Sequence, residues 1–302
     1  MAPAEIDTVT LRDPTSSLTA TFAPGAGMVG TSLTDGATEF LGQRHGLRAY
    51  IDQGKTMGIP ILYPWANRLS ANHYRVDDAV VTLTPGAGGV RTDEHGAPLH
   101  GVLAAYPGWQ VRAATDSQLI AEIDYGAQPS LLASFPYPHR LTVDVSLAEQ
   151  TLRIATTVTA TSAAPVPLCY GFHPYLQLPA TPRAQWQVQT PAMTHRPADA
   201  RGLPTGASDD RPGTTVTLGD SVYDDGYTDV PTGAVFAVSG DDRRIEVHFE
   251  QGFPAAQVFA PGDDDVICFE PMAAPTDALR RGGYRLAHFG SPDTTRFAIR
   301  VC

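Results

Sequence analysis

Apolar and polar residues alternate with a period of two along much of this chain, a pattern that predicts β-strands. The alternation runs over residues 141–147, stops at a turn over residues 148–150, and resumes over residues 152–158. In an extended strand, alternate side chains point to the same face, so each segment has one apolar face. The pair therefore predicts an antiparallel hairpin with one buried face.

Four more segments have the same strand-like character. They are residues 109–114 with 119–125, residues 74–83 around Asp77 and Asp78, residues 235–238 with 245–249, and the final stretch 296–301. Sustained helical periodicity is absent, and the 26 prolines and 28 glycines divide the chain into short segments. Such punctuation is typical of many short strands.

Residues 181–219 are rich in Pro, Gly, Asp and Thr, and we expect a long excursion there with one strand near residues 186–188. Strand signals of the same type resume afterwards, so the segment is not a domain linker. The sequence thus predicts a single all-β domain over residues 1–302, built as a large antiparallel β-sandwich.

Charge and composition narrow the range of partners. The formal net charge is −11 and the pI is about 5.1, which argues against nucleic acid and anionic membranes as partners. No apolar run approaches the length of a membrane span, and residues 1–7 lack the features of a signal peptide. We therefore expect a cytoplasmic protein that is a monomer or a homodimer.

Cofactor and metal signals are weak. Cys169, Cys268 and Cys302 form neither a disulfide framework nor a zinc motif, and His95 and His100 flank a loop and lack further ligands. Residues 25–30 match the G-x-G-x-x-G string, but the following residues do not predict the helix that a dinucleotide site requires. The prediction is a glycine-rich strand connection, with no metal and no cofactor.

Titratable residues in apolar surroundings are the strongest candidates for chemistry. His173 lies among Tyr170, Phe172 and Tyr175, whose rings offer faces for stacking on a sugar. Glu270 follows four apolar or weakly polar residues, shares a strand face with Cys268, and precedes Pro271, which we expect to end the strand pairing. Charged or titratable groups in such settings are costly unless they are paired or used in function. A packed core histidine and a structural ion pair remain the alternatives.

Three further residues have both a structural and a functional interpretation. Arg68 offers a planar fork of donors, either to a carboxylate or to a hydroxylated ligand. His100 stands beside Gly101, which permits close approach of the backbone to a ligand. Cys169, close to His173 in sequence, is expected to be a small buried thiol rather than a nucleophile.

Taken in chain order, these segments resemble the aldose 1-epimerase (galactose mutarotase) family. The matching motifs are Pro-x-x-Asn-Arg at residues 64–68, His-Gly at 100–101, Gly-Phe-His-Pro-Tyr at 171–175, Asp-x-x-aromatic at 224–227, and Glu-Pro at 270–271, followed by residues 274–279. Each motif is weak alone, whereas five in the same order are specific. The resemblance implies a galactose mutarotase-like β-sandwich.

The resemblance also implies roles for individual residues in the interconversion of α and β anomers of a free aldose. Glu270 would take the proton of the anomeric hydroxyl, and His173 would protonate the ring oxygen. The residues matching those that bind sugar hydroxyls are Arg68, His100, Asp224, Gln257 and, beside the arginine, Asn67. Asp225 competes with Asp224 for its place, and the spacing to Tyr227 favours Asp224.

Two other functions remain as hypotheses. Residues 58–60 are also similar to hexose-6-phosphate mutarotases, which act on phosphorylated sugars, although residues 67–68 look more like the branch acting on free sugars. A sugar-binding protein without turnover could share the fold and the hydroxyl contacts. The presence of both His173 and Glu270 favours catalysis, because a pure binder needs no acid–base pair.

Overall fold

Strands make up most of the computed structural model, which describes residues 6–76 and 78–302. In chain order the first strands are β1 (Val9–Arg12), β2 (Leu18–Ala23), β3 (Val29–Asp35), β4 (Thr38–Glu39), β5 (Ile61–Leu62), β6 (His73–Val76), β7 (Ala79–Thr82), β8 (Arg91–Thr92), β9 (Pro98–Leu99), β10 (Gln110–Ala114), β11 (Gln118–Asp124), β12 (His139–Ala148) and β13 (Thr151–Ala160). The remaining strands are β14 (Val166–Leu168), β15 (Gly171–Phe172), β16 (Tyr175–Leu176), β17 (Gln187–Thr190), β18 (Met193–Arg196), β19 (Asp209–Arg211), β20 (Thr214–Thr217), β21 (Tyr223–Thr228), β22 (Ala234–Ser239), β23 (Arg244–Gln251), β24 (Ala255–Ala260), β25 (Ile267–Met272), β26 (Arg285–Ala287) and β27 (Asp293–Val301).

Helices are short and few among the described residues. They are α1 (Gly46–Gln53), α2 (Pro129–Leu132) and α3 (Ala278–Arg281), with 3₁₀ turns at Pro24–Ala26, Tyr125–Ala127 and Arg183–Gln185. Helix α1 was not predicted, because its apolar residues Leu47, Tyr50 and Ile51 recur at helical spacing over two turns only, too short for a sustained signal. It ends at Gly54, whose left-handed backbone (φ +75°) returns its N–H to the carbonyls of Ala49 and Tyr50. None of the helices in the described part of the chain is both long and apolar enough to span a membrane.

Two large antiparallel sheets face each other across the core. One has nine strands in the order β10-β11-β12-β13-β27-β23-β22-β17-β20, and the other has eight, ordered β19-β18-β21-β24-β25-β15-β5 with β16 also paired to β25. Aromatic side chains join them: the rings of Phe172 and Phe297 lie 4.9 Å apart, and those of Phe236 and Phe269 lie 5.5 Å apart. A smaller sheet, β1-β2-β3-β4, adds a third surface. The predicted all-β sandwich is confirmed.

The predicted hairpins are present. Strands β12 and β13 pair in register from His139 with Ala160 to Ala148 with Thr151, and their apolar positions are buried. The pairs β10–β11, β22–β23 and β6–β7 also form, although Asp77 in the last turn lies outside the described residues. The glycine-rich string at residues 25–30 leads from a 3₁₀ turn directly into β3, so it is the expected strand connection.

The number of strands in residues 181–219 is larger than the one strand that the sequence predicted. The segment contains four strands, of which β17 and β20 extend the nine-stranded sheet while β18 and β19 extend the eight-stranded sheet. Strands β19 and β20 are exposed along their whole length and contain one apolar residue, Val216, so they show no alternation in sequence. Pairing with a neighbouring strand, rather than burial of a face, gives them their extended structure.

Candidate active site

A cavity of about 120 Å³ lies on the face of the eight-stranded sheet that points away from the nine-stranded sheet. Its lining combines two apolar side chains, Leu99 and Phe259, with a set of polar ones. The polar lining residues are Asn67, Arg68, His100, His173, Tyr175, Asp224 and Glu270. Residues distant in sequence therefore converge here, including both predicted catalytic residues and four of the five predicted sugar-binding residues.

Glu270 is placed by β25, whose side chains alternate between the core and the cavity. Phe269 packs against the opposite sheet, whereas Glu270, with only 2% of its surface exposed, points into the cavity. The prediction that the strand pairing ends at Pro271 is wrong. The strand continues to Met272, and Ala256 lies opposite the proline. The pairing of the residues on either side carries the strand across the proline's missing N–H.

His173 lies across from Glu270, in the two-residue link between β15 and β16. Strands β15 and β16 both pair with β25, through Gly171 opposite Met272 and Tyr175 opposite Cys268. Three residues separate the two pairs on each strand, and the middle ones are His173 and Glu270. Directly opposed residues of an antiparallel pair lie close enough for their side chains to interact. Here His173 Nε2 is 3.2 Å from Glu270 Oε1.

The imidazole of His173 is held on its other sides by aromatic and polar groups. Its Nε2 also lies 3.2 Å from Tyr175 Oη, and the two rings stack at 4.3 Å and 11°. The guanidinium of Arg44 covers the Tyr175 ring at 4.9 Å, and Thr56 Oγ1 contacts Tyr175 Oη at 2.6 Å. The backbone N–H of His173 donates to the carbonyl of Pro60 at 3.2 Å. The ring is therefore fixed in one orientation, which proton transfer requires.

Burial shifts both members of this pair toward their uncharged forms. Desolvation raises the pKa of Glu270 well above its usual value, and the nearby Asp224 carboxylate adds to the shift. Desolvation lowers the pKa of His173 well below its usual value, with a further contribution from His100. Glu270 Oε2 and His173 Nδ1 are buried without a hydrogen-bond partner among the described residues. Two unsatisfied polar atoms in one cavity are costly, so they indicate a polar ligand.

Arg68 is positioned from three sides at the edge of the cavity. Its Nε donates to Asp93 Oδ2 at 2.9 Å, and its Nη1 donates to Asn67 Oδ1 at 3.2 Å. Its carbonyl accepts from the backbone N–H of Asp277 at 3.1 Å, and the Asp277 carboxylate in turn accepts from Ser70. Asn67 thus lines the cavity and orients the arginine as well. Asp93 and Asp277 went unassigned in the sequence, since nothing in their neighbours indicates a distant arginine.

His100 adopts a left-handed backbone (φ +58°) that aims its side chain at the cavity. The following Gly101 is required, because a Cβ there would lie 2.0 Å from the carbonyl oxygen of Tyr63. Desolvation, together with the charge of Arg68, lowers the pKa of His100 to about 3, so the ring is neutral at pH 7. Its Nδ1 is also buried without a partner in the described chain. A neutral imidazole suits a hydrogen bond to a hydroxyl group.

Asp224 and Gln257 lie on the adjacent strands β21 and β24. Gln257 Nε2 donates to Asp224 Oδ1 at 2.7 Å, which leaves the other carboxylate oxygen free to face the cavity. Gln257 lines a neighbouring pocket and lies opposite Glu270 in the register of β24 and β25, where it holds the Asp224 carboxylate. Asp225, the competing candidate, points to the other face of β21, with its carboxylate 3.4 Å from His195 Nε2.

Two of the three aromatic residues proposed as sugar-stacking faces are elsewhere. Tyr170 is fully buried in the core with its hydroxyl on Thr295, and Phe172 packs between the sheets on Phe297. Tyr175, in contrast, lines the cavity. The reason is the period of two: residues 170 and 172 share the core face, and residues 173 and 175 share the other. Phe259, which the sequence did not single out, is the second aromatic lining residue.

The cysteines are not arranged for nucleophilic chemistry. Cys169 and Cys268 are buried, and desolvation raises the pKa of both thiols, so both remain protonated. Among residues 6–76 and 78–302, no group of three or more His, Cys, Asp or Glu side chains is arranged to hold a metal ion. The cavity contains one carboxyl–imidazole pair and several polar side chains that can form hydrogen bonds to a hydroxylated ligand.

Comparison with known proteins places this chain in a large structural group. It is similar to the Slr1438 protein of Synechocystis sp. PCC 6803, with 21% identity, a TM-score of 0.80, and coverage of 100% of this chain and 97% of the other. It is also similar to a galactose mutarotase-like protein of Clostridium acetobutylicum, with 15% identity, a TM-score of 0.81, and coverage of 95% and 93%. It is similar, too, to the GalM/aldose epimerase homologue of C. elegans, with 15% identity, a TM-score of 0.77, and coverage of 99% of each chain.

At these identities the solved structures establish the fold alone. No protein among the curated ones compared matches the chain at a significant level. A family model, described as aldose 1-epimerase, matches residues 7–286, which is nearly the whole chain. The chain therefore belongs to the aldose 1-epimerase family.

Proposed function

We propose that the protein is an aldose 1-epimerase, which interconverts the α and β anomers of a free aldose. The observation that carries the proposal is the contact of 3.2 Å between His173 Nε2 and Glu270 Oε1, two buried side chains that line one cavity. Ring opening of a cyclic hemiacetal needs one group that accepts the proton of the anomeric hydroxyl and one that protonates the ring oxygen. A directly opposed carboxyl and imidazole supply both.

In this proposal the pair opens and recloses the sugar ring. Glu270 accepts the proton from the anomeric hydroxyl while His173 gives a proton to the ring oxygen, and the bond between C1 and the ring oxygen breaks. The product is the open-chain aldehyde. Rotation about the C1–C2 bond presents the other face of the carbonyl. Reclosure returns the first proton to the new anomeric hydroxyl and restores the ring-oxygen proton to His173, so no net proton is gained or lost.

For catalysis, the number of protons that the pair holds matters more than which of the two side chains carries the proton before the sugar binds. Burial favours the uncharged pair, a carboxylic acid beside a neutral imidazole, over the ion pair. Both arrangements hold one shared proton, and the 3.2 Å contact lets that proton pass between Glu270 and His173. The reaction above uses the arrangement with the proton on His173, in which Glu270 is the base and His173 is the acid.

The other polar residues of the cavity supply sugar affinity in this proposal. Arg68 and His100 offer donors, and Asp224 offers an acceptor, to the hydroxyls remote from the anomeric carbon. Arg68 is the single cation of the cavity lining in the described chain, and it is already engaged by Asp93. That arrangement suits a neutral free sugar better than a dianionic sugar phosphate. A preference for glucose over glucose 6-phosphate in kcat/KM is therefore expected.

The test is the rate of anomeric equilibration of glucose and galactose, followed by polarimetry, for the wild-type protein and two variants. Glu270→Gln keeps size and polarity but accepts no proton, and His173→Asn keeps a donor but yields none. Each should lower kcat by roughly 10²–10⁴-fold, the usual contribution of a general acid or base. Sugar affinity, measured by calorimetry, should change far less.

A matched control is His195→Asn. His195 is also paired with carboxylates, on Asp209 and Asp225, but does not line the cavity. It should keep the wild-type rate. If Glu270→Gln turned over sugar at the wild-type rate, or if the wild-type protein bound sugars without accelerating mutarotation, the proposed function would be wrong.

A further inference from the structure

A second pocket lies on the same face of the eight-stranded sheet as the cavity and has no role in the reaction described above. Strands β21, β24 and β25 line both spaces. Their lining residues in the cavity are Asp224, Phe259 and Glu270, and those in the pocket are Gly226, Gln257 and Met272. Residues two positions apart on a strand share a face and lie about 7 Å from each other. The pocket is therefore one side-chain step from the cavity, although the two share no lining residue.

The walls of this pocket are mainly apolar. One wall is the loop 197–208, which joins β18 to β19, and another is α3 with the residues before it. The apolar lining side chains include Ala198, Pro204 and Ala207 from the loop, Pro275 and Ala278 near α3, and Met272 from β25. The volume is about 200 Å³. That is the space of about seven waters at ~30 Å³ each, which suits a compact ligand with one ring.

Arg196 gives the pocket an uncompensated positive charge. Its Nε donates to Thr228 Oγ1 at 2.9 Å, whereas Nη1 and Nη2 donate to no residue of the described chain and no described carboxylate lies within ion-pair distance. The other lining arginine, Arg281, is paired with Asp277 and donates to the carbonyl of Pro204. No Asp or Glu lines the pocket, although the whole chain has a net charge of −11. Two free nitrogens on one planar guanidinium match the two oxygens of a carboxylate.

Two residues of the pocket lie directly behind sugar-binding residues of the cavity. Gly202 lies against the guanidinium of Arg68, so closely that a Cβ on the glycine would be 2.8 Å from Nη1. Gln257 donates to Asp224 Oδ1 at 2.7 Å, and its own Oε1 accepts no hydrogen bond from the described residues. A ligand that packs against Gly202 and Gln257 restricts their motion. Arg68 and Asp224 then lose less freedom when a sugar binds.

We propose that this pocket binds a small organic carboxylate with one apolar ring, and that the bound carboxylate strengthens sugar binding in the cavity. The carboxylate group lies on Nη1 and Nη2 of Arg196, and the ring packs against Met272 and Pro275. Because the two spaces share no lining residue, the ligand is a separate molecule and not a substituent of the sugar. Coupling between two sites is reciprocal, so the sugar strengthens binding of the carboxylate by the same factor.

Other classes of ligand fit this lining less well. A sugar ring would place most of its hydroxyls against apolar side chains, where they lose their hydrogen bonds to water. A sulfate or phosphate ion would meet one uncompensated arginine and would leave the apolar walls uncovered. A ligand with one charged end and one apolar body uses both parts of the pocket.

The first experiment is calorimetric titration of the wild-type protein with benzoate, benzamide and sulfate. Benzamide keeps the ring without the charge, and sulfate keeps a charge without the ring. Benzoate should bind with a Kd of about 1 mM or tighter, which is modest for a ligand of its size. Each of the other two probes should bind at least about tenfold more weakly, because each lacks one of the two contacts.

Variants at Arg196 test the assigned contact. In Arg196→Met the Kd for benzoate should rise about 10- to 100-fold, the contribution of a hydrogen bond to a charged group. Arg196→Lys keeps the charge but loses the fork, so its Kd should rise about 3- to 10-fold. The matched control is Arg153→Met, since Arg153 is an exposed arginine of β13 paired with Glu250, far from any lining residue of the pocket in sequence. It should bind benzoate as the wild type does.

The second experiment measures the coupling as KM for glucose, by polarimetry, with and without saturating benzoate. In the wild type, benzoate should lower KM about fivefold, at the lower end of usual coupling between sites, and leave kcat unchanged. In Arg196→Met, KM should be that of the wild type without benzoate, and benzoate should not change it. The split between KM and kcat separates an effect on sugar binding from a general effect on the fold.

Four results would overturn the proposal. They are a Kd for benzoate above about 10 mM, binding of benzamide or sulfate as tight as that of benzoate, equal benzoate affinity in wild type and a folded Arg196→Met, and a KM for glucose that benzoate leaves unchanged or raises. If thermal unfolding shows that Arg196→Met is not folded, Arg196→Lys decides in its place. If glucose is not turned over, the proposed function fails. Benzoate is then titrated with and without glucose, where a tighter Kd supports the proposal and an unchanged one overturns it.

Discussion

The ion pair between Arg68 and Asp93 allows a quantitative test of how sugar binding is organised. Asp93 accepts the backbone N–H groups of His95 and Ala97 on Oδ1, both at 2.9 Å, and Arg68 Nε on Oδ2, also at 2.9 Å. In Asp93→Asn, the amide oxygen can keep both backbone hydrogen bonds, so the loop retains its shape. The amide nitrogen then faces Arg68 Nε, donor against donor, and Arg68 loses its orientation.

The magnitude follows from the exposure of the pair. The Asp93 side chain is 1% exposed and that of Arg68 is 17% exposed. A hydrogen bond to a charged group contributes about 1.5–3 kcal/mol, and we take about 2 kcal/mol because Arg68 keeps some contact with water. At about 1.4 kcal/mol per factor of ten, the loss is about 30-fold in kcat/KM for glucose. It should appear mainly in KM, since Glu270 and His173 keep their contact.

The assay is polarimetry with glucose over a range of concentrations, with thermal unfolding as the measure of folding. Asp199→Asn is the matched control, because Asp199 also accepts two backbone N–H groups of its own loop and one guanidinium, from Arg201, but outside the cavity. It should behave as wild type. An Asp93→Asn variant that is folded and keeps kcat/KM within about twofold of wild type would refute the assigned role of Arg68, given the roughly 30-fold loss expected from one such bond.

Three further predictions concern the pair, a thiol and a glycine. Because burial raises the pKa of Glu270 and lowers that of His173, kcat should be level across neutral pH. It should fall in acid, where both groups are protonated, and in alkali, where neither group is protonated. A maximum of kcat confined to one pH unit would contradict the shared proton. Cys268→Ser should lose about 1–3 kcal/mol of stability from a buried hydroxyl while keeping most of its turnover, and a folded but inactive variant would show that the thiol is needed. In Gly171→Ala the new Cβ would lie 2.6 Å from a backbone oxygen of β25, so kcat should fall at least about tenfold as the strands separate. In the control Gly25→Ala the new Cβ has no atom within 4 Å, so kcat should stay at the wild-type value. Equal rates in the two variants would show that the strand spacing is not critical.

The sequence was sufficient for elements that bury one face. Strands β12 and β13 followed from alternation alone, because every second side chain contributes to the core. The strands β19 and β20 did not, since they are exposed along their whole length, bury no apolar face and are formed by pairing with a neighbour. Helix α1 was missed for a different reason, because the helical spacing of Leu47, Tyr50 and Ile51 extends over two turns only.

The candidate site, like the fold, could be predicted only in part. The residue types and order of the motifs brought Glu270, His173 and Arg68 together, because a family resemblance carries spatial information that single motifs lack. The direction of a side chain was harder to predict, and Phe172 was assigned to the site although it faces the core. Partners such as Asp93 were not found, because contacts between distant segments leave no mark on local sequence. The single-domain assignment and the oligomeric state remain predictions.

His173 is held opposite Glu270 because the chain pairs with β25 on both sides of the histidine, and this limits how the sequence can vary. Four steps of backbone lead from Gly171 to Tyr175, and four lead from Met272 back to Cys268, so the two strands are matched in length. Inserting or deleting one residue between the two pairs would turn Tyr175 to the other face and move the imidazole off the carboxyl. In this segment the spacing of the chain is therefore under stricter constraint than most of its side chains. Homologous sequences should show no gaps within residues 171–175 or 268–272.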